Sequence, residues 1–250
     1  MTASSLPLSG KRALVTGAAR GIGAAIARQL AADGADVAIT YEKSAEKAEA
    51  LAAEIRALGR KAVAIQADSG STDGPTKAVT EAVAGLGGLD IVVNNAGIAG
   101  GVLFADQSLE EIDALLSVNI RGVLLTTQAA LPHLGEGGRI ISISSVLAHR
   151  VPFMGVTIYS ATKSALEAFT LGLSREVGPR GITVNMVKPG ATDTDMNPAD
   201  GPNAAGQLAG ISLGRFGKPT DIASAVAFLA GPGASYITGT SILVDGGIGA

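Results

Sequence analysis

The stretch at residues 12–32, RALVTGAARGIGAAIARQLAA, decides the fold, because it joins a short apolar run to a glycine-rich turn and a longer apolar segment. The run at 12–16 has consecutive apolar residues, which is typical of a buried parallel strand. The turn Thr16-Gly17-Ala18-Ala19-Arg20-Gly21-Ile22-Gly23 follows at once and opens a helix that we expect to end near Ala32. The stretch therefore predicts a strand, a turn and a helix in that order.

The glycine-rich turn is a candidate anion site. Glycines allow the backbone to approach a ligand closely, and a helix N-terminus presents free N–H groups with a partial positive charge. A pyrophosphate fits both features. The alternative is a turn that serves only the fold, and the turn by itself does not decide between the two.

Further apolar runs follow along the chain, at residues 37–41, 62–67, 91–94, 139–144, 183–187 and 241–244. Longer amphipathic segments separate them. One of these, at 46–58, has apolar residues at helical spacing: Ala48, Leu51, Ile55 and Leu58. The alternation predicts a Rossmann-type doubly wound α/β fold, a seven-stranded parallel sheet with helices on both faces. We expect residues 1–250 to form a single dinucleotide-binding catalytic domain.

The composition excludes several kinds of site. The 250 residues include 19 Lys plus Arg and 22 Asp plus Glu, for a net charge of -3, with no Cys and only two His. Without Cys there is no disulfide, no thiolate nucleophile and no Cys-containing zinc site, and we predict no metal site. The slightly acidic balance argues against nucleic acid or an anionic membrane as partner. Small-molecule chemistry is the favoured interpretation.

Two observations bear on location. No apolar run reaches the roughly 18 residues of a membrane span. Residues 1–12 lack the apolar core of a signal peptide. We therefore expect a soluble, cytoplasmic protein.

The stretch at 191–213 has no clear period and contains three glycines and two prolines. A loop of this length in a compact domain is usually a lid, a binding loop or disordered. We predict a substrate loop at about 190–213.

Further motifs follow the predicted strands in order. Asn94-Asn95-Ala96-Gly97 comes after the fourth, Pro189-Gly190 after the sixth and Val244-Asp245-Gly246-Gly247 after the seventh, while Tyr159-Ser160-Ala161-Thr162-Lys163 opens a later helix. With the glycine-rich turn, these motifs resemble the short-chain dehydrogenase/reductase family over residues 11–247. The resemblance is closest to 3-oxoacyl-(acyl-carrier-protein) reductases and the NADPH-dependent ketone reductases related to them.

The resemblance implies four catalytic residues: Asn119, Ser145, Tyr159 and Lys163. Tyr159 exchanges the proton, Ser145 holds the substrate oxygen, and Asn119 holds a water in a proton relay that reaches Lys163. The spacing to Tyr159 leaves Ser144 as an alternative to Ser145, and Ser145, next to Val146, is favoured.

The residues themselves support this chemistry. Tyr159 and Lys163 are four apart and so share a helix face, with about 5 to 6 Å between Cβ atoms. A phenol that normally titrates near 10 needs a shift of about 3 units, roughly 4 kcal/mol, to act near neutrality. One cation at about 4 Å in an effective dielectric of about 20 supplies that much. We therefore expect Lys163 to lower the Tyr159 pKa. His149 is the alternative base or, more readily, a wall of the substrate pocket.

The cofactor prediction rests on the end of the second strand. NAD-dependent relatives place an acidic residue there to bind the ribose hydroxyls. Here that position is Tyr41, and Glu42 follows out of register, whereas Arg20 and Lys43 could bind a 2′-phosphate. NADP is favoured. By resemblance Asp68 contacts adenine and Thr194 the nicotinamide, and the full predicted cofactor set is Gly17, Arg20, Gly21, Ile22, Gly23, Tyr41, Lys43, Asp68, Asn95, Ala96, Gly97, Tyr159, Lys163, Pro189, Gly190, Thr192 and Thr194.

The substrate is predicted to be a ketone that becomes a secondary alcohol, because the expected pocket wall is rich in apolar side chains: Val151, Phe153, Met154, Val156, Met196 and Leu208. A 3-oxoacyl-(acyl-carrier-protein) substrate is the alternative. It is weakened by the lack of basic residues at 135–138, although Arg139 starts the fifth strand and further candidate contacts to an acidic carrier protein remain: Arg150, Arg175 and Arg180.

A different class of function is a non-catalytic NADP-binding redox sensor, and the intact Ser, Tyr, Lys and Asn set argues against it. A purely structural scaffold does not explain the polar residues that follow the strands. The resemblance also implies a homotetramer. Small residues on the helices that hold Asn119 and Tyr159 would permit close packing between subunits: Ala129, Ala130, Ala161, Ala165, Ala168 and Gly172.

Overall fold

The strand, turn and helix at the start of the chain form as predicted. In the computed structural model, which describes residues 6–250, strand Arg12–Val15 leads through the glycine-rich turn into helix Gly21–Ala32. The prediction that residues 1–12 contain no signal peptide includes residues 1–5, which lie outside the described residues.

Each predicted apolar run coincides with a strand to within two residues at either end. The strands are β1 (Arg12–Val15), β2 (Asp36–Tyr41), β3 (Ala62–Gln66), β4 (Ile91–Asn94), β5 (Arg139–Ile143), β6 (Thr183–Pro189) and β7 (Thr240–Val244). The helices are α1 (Gly21–Ala32), α2 (Ala45–Ala57), α3 (Gly74–Leu86), α4 (Leu109–Leu116), α5 (Gly122–Ala130), α6 (Thr157–Val177), α7 (Ala204–Leu208) and α8 (Pro219–Ala230).

The strands form one parallel sheet in the order β3-β2-β1-β4-β5-β6-β7, which confirms the predicted Rossmann-type fold. The chain winds outward from β1 in one direction and from β4 in the other. The register aligns the strand ends, since Val15 lies opposite Val93 and Asn94 opposite Ser142. The motifs that follow these strands therefore meet at one edge, beside the switch between β1 and β4 where such sheets bind ligands.

Helices cover both faces of the sheet. On one face α1, α2 and α8 bury apolar side chains such as Ile26, Ile55 and Leu229. On the other, α3, α5 and α6 bury side chains such as Val79 and Leu173. The two layers leave the strands buried on both sides, which explains why the strand sequences are apolar rather than alternating.

The predicted burial of one residue and the predicted exposure of another need correction. Ala48, Leu51 and Ile55 of α2 are buried as expected, but Leu58 is 55% exposed, because the helix ends at the residue before it. Ala130 was expected on a surface between subunits. It is instead fully buried in the core beneath α5.

One helical stretch among the described residues, Leu109–His133, is long and apolar enough to cross a membrane by length and composition alone, with a mean hydropathy of 1.3. It runs from α4 through a π-helical turn (Ser117–Arg121) into α5. Here it packs against α3 and α6. Of its apolar window 39% is buried in this fold, and its buried residues include Asn119.

Candidate active site

A cavity of about 700 Å³ opens at the carboxyl edge of the sheet, beside the switch between β1 and β4. Ser145 and the whole predicted cofactor set line it: Gly17, Arg20, Gly21, Ile22, Gly23, Tyr41, Lys43, Asp68, Asn95, Ala96, Gly97, Tyr159, Lys163, Pro189, Gly190, Thr192 and Thr194. Part of the 191–213 stretch lines it as well, and we call this stretch the substrate loop. Among the predicted catalytic and cofactor-binding residues, Asn119 alone does not line the cavity.

Close packing explains two glycines of the glycine-rich turn. A Cβ on Gly17, which has a φ of +62°, would lie 2.8 Å from the Ala96 Cα. A Cβ on Gly23 would lie 2.5 Å from the Asn95 Nδ2. Only glycine therefore fits where the turn meets the segment after β4. Contact with the protein's own second motif therefore requires these two glycines, apart from any approach of a pyrophosphate.

Asn95 joins the two motifs through its side chain. Its Nδ2 donates to the carbonyl oxygens of Thr16, at 2.9 Å, and Gly17, at 3.0 Å. In return the Thr16 hydroxyl oxygen accepts the backbone N–H groups of Asn95 and Ala96, both at 3.0 Å. The Asn95 amide is therefore occupied by the turn, and this residue shapes the cavity floor.

Sequence reasoning missed two threonines that hold this floor. Thr16 is buried, and its hydroxyl accepts the two backbone N–H groups of the segment after β4 described above. The Thr40 hydroxyl accepts the Gly17 N–H at 2.9 Å. Each threonine lies at or next to the end of an apolar strand. A polar residue at that position is the signal that could have found them, because buried hydroxyls need partners.

The turn fits the pyrophosphate of a dinucleotide. No side chain caps α1, and Gly21, Ile22 and Gly23 of its first turn line the cavity. An uncapped helix N-terminus offers N–H groups and a partial positive charge to a phosphate. At the adenosine end, Tyr41 ends β2 as predicted, and Asp68 uses one carboxylate oxygen to accept the Gly70 N–H at 2.8 Å. Its contact with adenine stays a prediction.

The cations predicted for a 2′-phosphate are already paired. Lys43 Nζ lies 3.0 Å from Glu42 Oε1, and Arg20 Nη1 lies 3.0 Å from Asp195 Oδ2 in the substrate loop. Lys47 Nζ approaches the same Asp195 oxygen at 3.8 Å. Sequence reasoning did not consider Asp195 or Lys47, because no local pattern connects them to Arg20.

The first turn of α6 places Tyr159 and Lys163 together. The Lys163 Nζ lies 5.8 Å from the centre of the Tyr159 ring and donates to the Ile143 carbonyl at 3.0 Å. Lys163 is buried, and this burial lowers the pKa of its ammonium to about 8. The lysine is thus held by the end of β5 and is poised to lose a proton near neutrality.

The two serines after β5 have different partners. The Ser144 hydroxyl donates to the Lys163 carbonyl at 2.9 Å within the protein. The Ser145 hydroxyl accepts the Leu147 N–H at 3.1 Å and lies beside the Tyr159 phenol. This arrangement favours Ser145 as the serine that meets the substrate.

The expected direction of the Tyr159 pKa is wrong for this structure. Burial raises the pKa of the phenol above its ordinary value of 10.0, and the neighbouring Ser145 hydroxyl opposes that shift. A lowered pKa requires an ammonium close to the phenol, but the Lys163 Nζ donates to the Ile143 carbonyl and lies 5.8 Å from the centre of the Tyr159 ring. Tyr159 is therefore a protonated phenol at neutral pH, which suits a proton donor.

Asn119 is fully buried in the π-helical turn. Its Oδ1 accepts the Ile98 N–H at 2.9 Å, and its Nδ2 donates to the Ile98 carbonyl at 2.9 Å and to Thr162 at 3.1 Å. It still lies close to the lysine, because a Cβ on Gly97 would contact both Asn119 Oδ1, at 3.3 Å, and Lys163 Nζ, at 3.2 Å. The structure thus shows an amide that fixes the segment after β4, and its relay role stays a prediction.

The wall beside Tyr159 is only partly the one predicted. Of the predicted apolar residues, Phe153, Val156 and Met196 line the cavity, whereas Val151, Met154 and Leu208 do not. Met154 is 84% exposed. The predicted wall segment at 147–157 also contributes Leu147 and Pro152, and Ile248 near the C-terminus lines the cavity without having been predicted.

His149 does not line the cavity, so the structure gives no support to the alternative in which it forms a pocket wall or acts as a base. It lies beside the C-terminal segment, where its Nε2 would be 3.5 Å from a Cβ on Gly249. Its neighbour Arg150 lines the cavity instead and donates to the Ile248 carbonyl.

The family model described as enoyl-(acyl carrier protein) reductase matches residues 17–249. The chain belongs to the short-chain dehydrogenase/reductase family. This confirms the resemblance drawn from the motifs and makes the protein an oxidoreductase. The match covers the glycine-rich turn, the segment after β4 and the first turn of α6, which together form the cavity.

A solved structure and two curated proteins illustrate the relationship. A short-chain dehydrogenase from Burkholderia cenocepacia J2315 in complex with NADP is 57% identical with a TM-score of 0.96, and the match covers 98% of this chain and 100% of that one. The 3-oxoacyl-[acyl-carrier-protein] reductase FabG of Staphylococcus aureus (strain Mu50) is 44% identical over 95% of this chain and 98% of that protein. The cyclic-di-GMP-binding biofilm dispersal mediator protein of Escherichia coli (strain K12) is 42% identical over 97% and 98%. Because relatives with such different names have similar identity to this chain, their names do not indicate which substrate it uses.

The buried ammonium of Lys163 predicts a pH-dependent stability difference. Below pH 8 the folded protein holds this charge in the core at a cost on the order of 3 kcal/mol, so Lys163→Met should unfold at a higher temperature at pH 7. Because the folded-state pKa is depressed, the native protein gains stability relative to this variant as the pH rises from about 8 to 10.5. The advantage of the variant should therefore shrink over that range. The loss of the bond to Ile143 makes the net gain smaller.

Thermal melts of the cofactor-free proteins between pH 7 and 10.5 measure this difference. Lys61→Met is the control, because Lys61 is exposed and its replacement should show no such dependence below pH 10. A constant difference between Lys163→Met and the native protein across the range would contradict the buried charge.

Proposed function

We propose that this protein reduces a ketone to a secondary alcohol with NADPH, and that Tyr159 donates the proton. The observation that carries the proposal is a half-buried, protonated phenol beside Ser145 and Lys163, in the same cavity as an uncapped, glycine-rich helix N-terminus. A dinucleotide bound at the turn and a substrate oxygen bound at Ser145 would meet in this cavity. The arrangement supports hydride transfer coupled to proton transfer.

The chain's own residues perform the acid chemistry. Ser145 binds the carbonyl oxygen and holds it near the Tyr159 phenol, and the phenol gives its proton to that oxygen as charge develops there. When NADPH is bound, its nicotinamide supplies the hydride. Lys163, with a pKa of about 8, returns a proton towards the site after turnover. Asn119 and Thr162 form the hydrogen-bonded group next to Lys163 through which we propose that the proton arrives.

NADP is the proposed cofactor. No acidic residue occupies the ribose position at the end of β2, where Tyr41 lies, and Arg20 lines the adjoining part of the cavity. The Burkholderia relative was crystallised with NADP, in agreement with this choice. We further propose that Thr194 contacts the nicotinamide and that the protein works in the cytoplasm.

A 3-oxoacyl thioester on a carrier protein is a second candidate substrate, because Arg150 lies on the cavity wall and could meet a phosphate or an acidic partner. Of the other candidate arginines, Arg139 is 7% exposed and donates to the carbonyls of Gly137 and Gly138. Arg175 and Arg180 are exposed but do not line the cavity. The neutral ketone is favoured because apolar side chains such as Phe153 and Val156 line the wall beside Tyr159.

NADPH oxidation, followed by absorbance with a panel of simple ketones and 3-oxoacyl thioesters, tests the activity and its substrate class. Turnover of ketones supports the proposal, whereas turnover of thioesters alone selects the second candidate. NADPH binding without turnover of either class would favour a sensor, the alternative of a different class.

Tyr159→Phe keeps the ring and removes the proton. Positioned proton transfer is worth about a hundred- to ten-thousandfold, so the turnover number should fall at least a hundredfold while NADPH still binds. Steady-state kinetics and NADPH titration measure the two effects. Tyr236→Phe is the control, since Tyr236 is fully exposed and should behave like the native protein. Near-native turnover by Tyr159→Phe would show that another group supplies the proton.

Arg20→Ala should weaken NADPH much more than NADH, because only NADPH carries the 2′-phosphate. A charge-assisted hydrogen bond worth about 1.5 kcal/mol or more corresponds to about tenfold or more in the dissociation constant. Arg28→Ala removes the same charge from α1 at a residue that pairs with Glu54 and does not line the cavity. An equal loss of affinity for NADPH and NADH would mean that Arg20 does not bind the 2′-phosphate.

We also propose a homotetramer. Ala161, Ala165, Ala168 and Gly172 form one exposed stripe along α6, and small residues of this kind let a second helix approach closely. Light scattering at micromolar concentration should give four times the chain mass. Ala165→Arg should dissociate the assembly, whereas Ala57→Arg, exposed at the end of α2, should leave it intact. A native monomer would contradict the proposal.

A further inference from the structure

The substrate loop is tied to the glycine-rich turn by one carboxylate. Asp195 Oδ2 lies 3.0 Å from Arg20 Nη1 and 3.8 Å from Lys47 Nζ. Arg20 precedes α1, Lys47 lies in the first turn of α2, and Asp195 belongs to a loop 175 residues after Arg20. Two cations from separate elements thus converge on one anion, and their charge keeps the pKa of that carboxyl below its ordinary value.

The ion pair between Arg20 and Asp195 can exchange its carboxylate for another anion. The side chains of Arg20 and Asp195 are 54% and 58% exposed, and an ion pair in such a position is worth little in water. A phosphate monoester carries more charge than a carboxylate and offers three acceptor oxygens to the same guanidinium. A phosphate that reaches Arg20 will therefore displace Asp195 rather than share the site with it.

Lys47 is the second cation of this site for a simple reason. Lys43, the lysine chosen from the sequence, pairs at 3.0 Å with its own neighbour Glu42, which remains beside it when Asp195 leaves. Lys47 has no acidic neighbour within 4 Å among the described residues other than Asp195. Once Asp195 leaves, Lys47 is the unpaired cation next to Arg20.

We propose that Asp195 occupies the 2′-phosphate position of the cofactor site and competes with that phosphate for Arg20 and Lys47. The inference rests on the proposed use of NADP. NADPH has to displace Asp195, which frees the substrate loop from the turn, whereas NADH leaves the tie in place. Asp195 therefore weakens the binding of NADPH, and the same exchange couples the choice of cofactor to the loop beside the substrate.

The loop is arranged to transmit this exchange. Thr194 and Met196 flank Asp195 and line the cavity, so a shift at Asp195 moves both. Behind them Asn197 and Gln207 exchange two side-chain hydrogen bonds of 3.0 Å, which join the start of the loop to α7.

Asp195→Asn tests the competition, with Asp193→Asn as its matched control. Asp193 lies in the same loop and accepts the Ala199 N–H at 3.0 Å, an acceptor that asparagine keeps. Fluorescence titration should show the NADPH dissociation constant falling about two- to fivefold in Asp195→Asn, as an exposed ion pair predicts, with no change for NADH. Asp193→Asn should match the native protein, and Lys47→Gln should weaken NADPH but not NADH.

A tighter NADPH complex in both aspartate variants, or an equal gain for NADH, would mean a general charge effect and would overturn the inference. Weaker NADPH binding by Asp195→Asn would also overturn it. Arg20→Ala separates the two proposals. If this variant loses NADPH and NADH affinity equally, the proposed use of NADP and this inference fail together. If it is selective but Asp195→Asn behaves like its control, only the inference fails.

Hydrogen exchange with two fragments of the cofactor tests the release directly. The probe 2′-AMP should speed amide exchange at residues 194–199 of the native protein, and 5′-AMP should not. In Asp195→Asn the exchange should already be fast and unaffected by 2′-AMP. Equal responses to the two nucleotides would contradict a site that responds to the 2′-phosphate.

Discussion

The contact between the glycine-rich turn and the segment after β4 is the constraint on which the site depends. Gly17 and Gly23 have no room for a Cβ there, and the Asn95 amide and Thr16 hydroxyl join the two chain segments through paired hydrogen bonds. The central strands β1 and β4 are thereby locked at their carboxyl ends. A ligand at this edge meets a backbone surface that is already formed, so little ordering is needed on binding.

The same rigid edge supports a lysine that would otherwise be costly to bury. Lys163 loses hydration in the core, and its ammonium donates one hydrogen bond to the Ile143 carbonyl. The Ser144 hydroxyl donates to the backbone carbonyl of Lys163. Asn119 and Thr162 bond to each other beside it. Buried polar groups of this kind persist only when their partners are fixed, and they rigidify the site when they are. The network thus accounts for the position of Lys163, whereas its burial accounts for the lowered pKa.

The outer part of the cavity is held differently. Exposed ion pairs and the substrate loop, which contains one short helix, form this side of the cavity. Pairs of this kind exchange partners readily because water competes for them. A rigid floor with an exchangeable rim matches a family in which the fold is constant while substrates differ, and the relatives of this chain carry different names at similar identity.

Local sequence was enough for the strands, the first helix and the residues that meet in the cavity, because each depends on short-range periodicity or on a motif within a few positions. It was not enough for Leu58, Ala130 or Met154, since periodicity assigns a helix face but not what covers it. Nor could it assign the roles of Ser144 and Ser145, the direction of the Tyr159 pKa or the pairing of Arg20 with Asp195. Those features depend on desolvation and on contacts between distant segments, which exist only once the layers have packed.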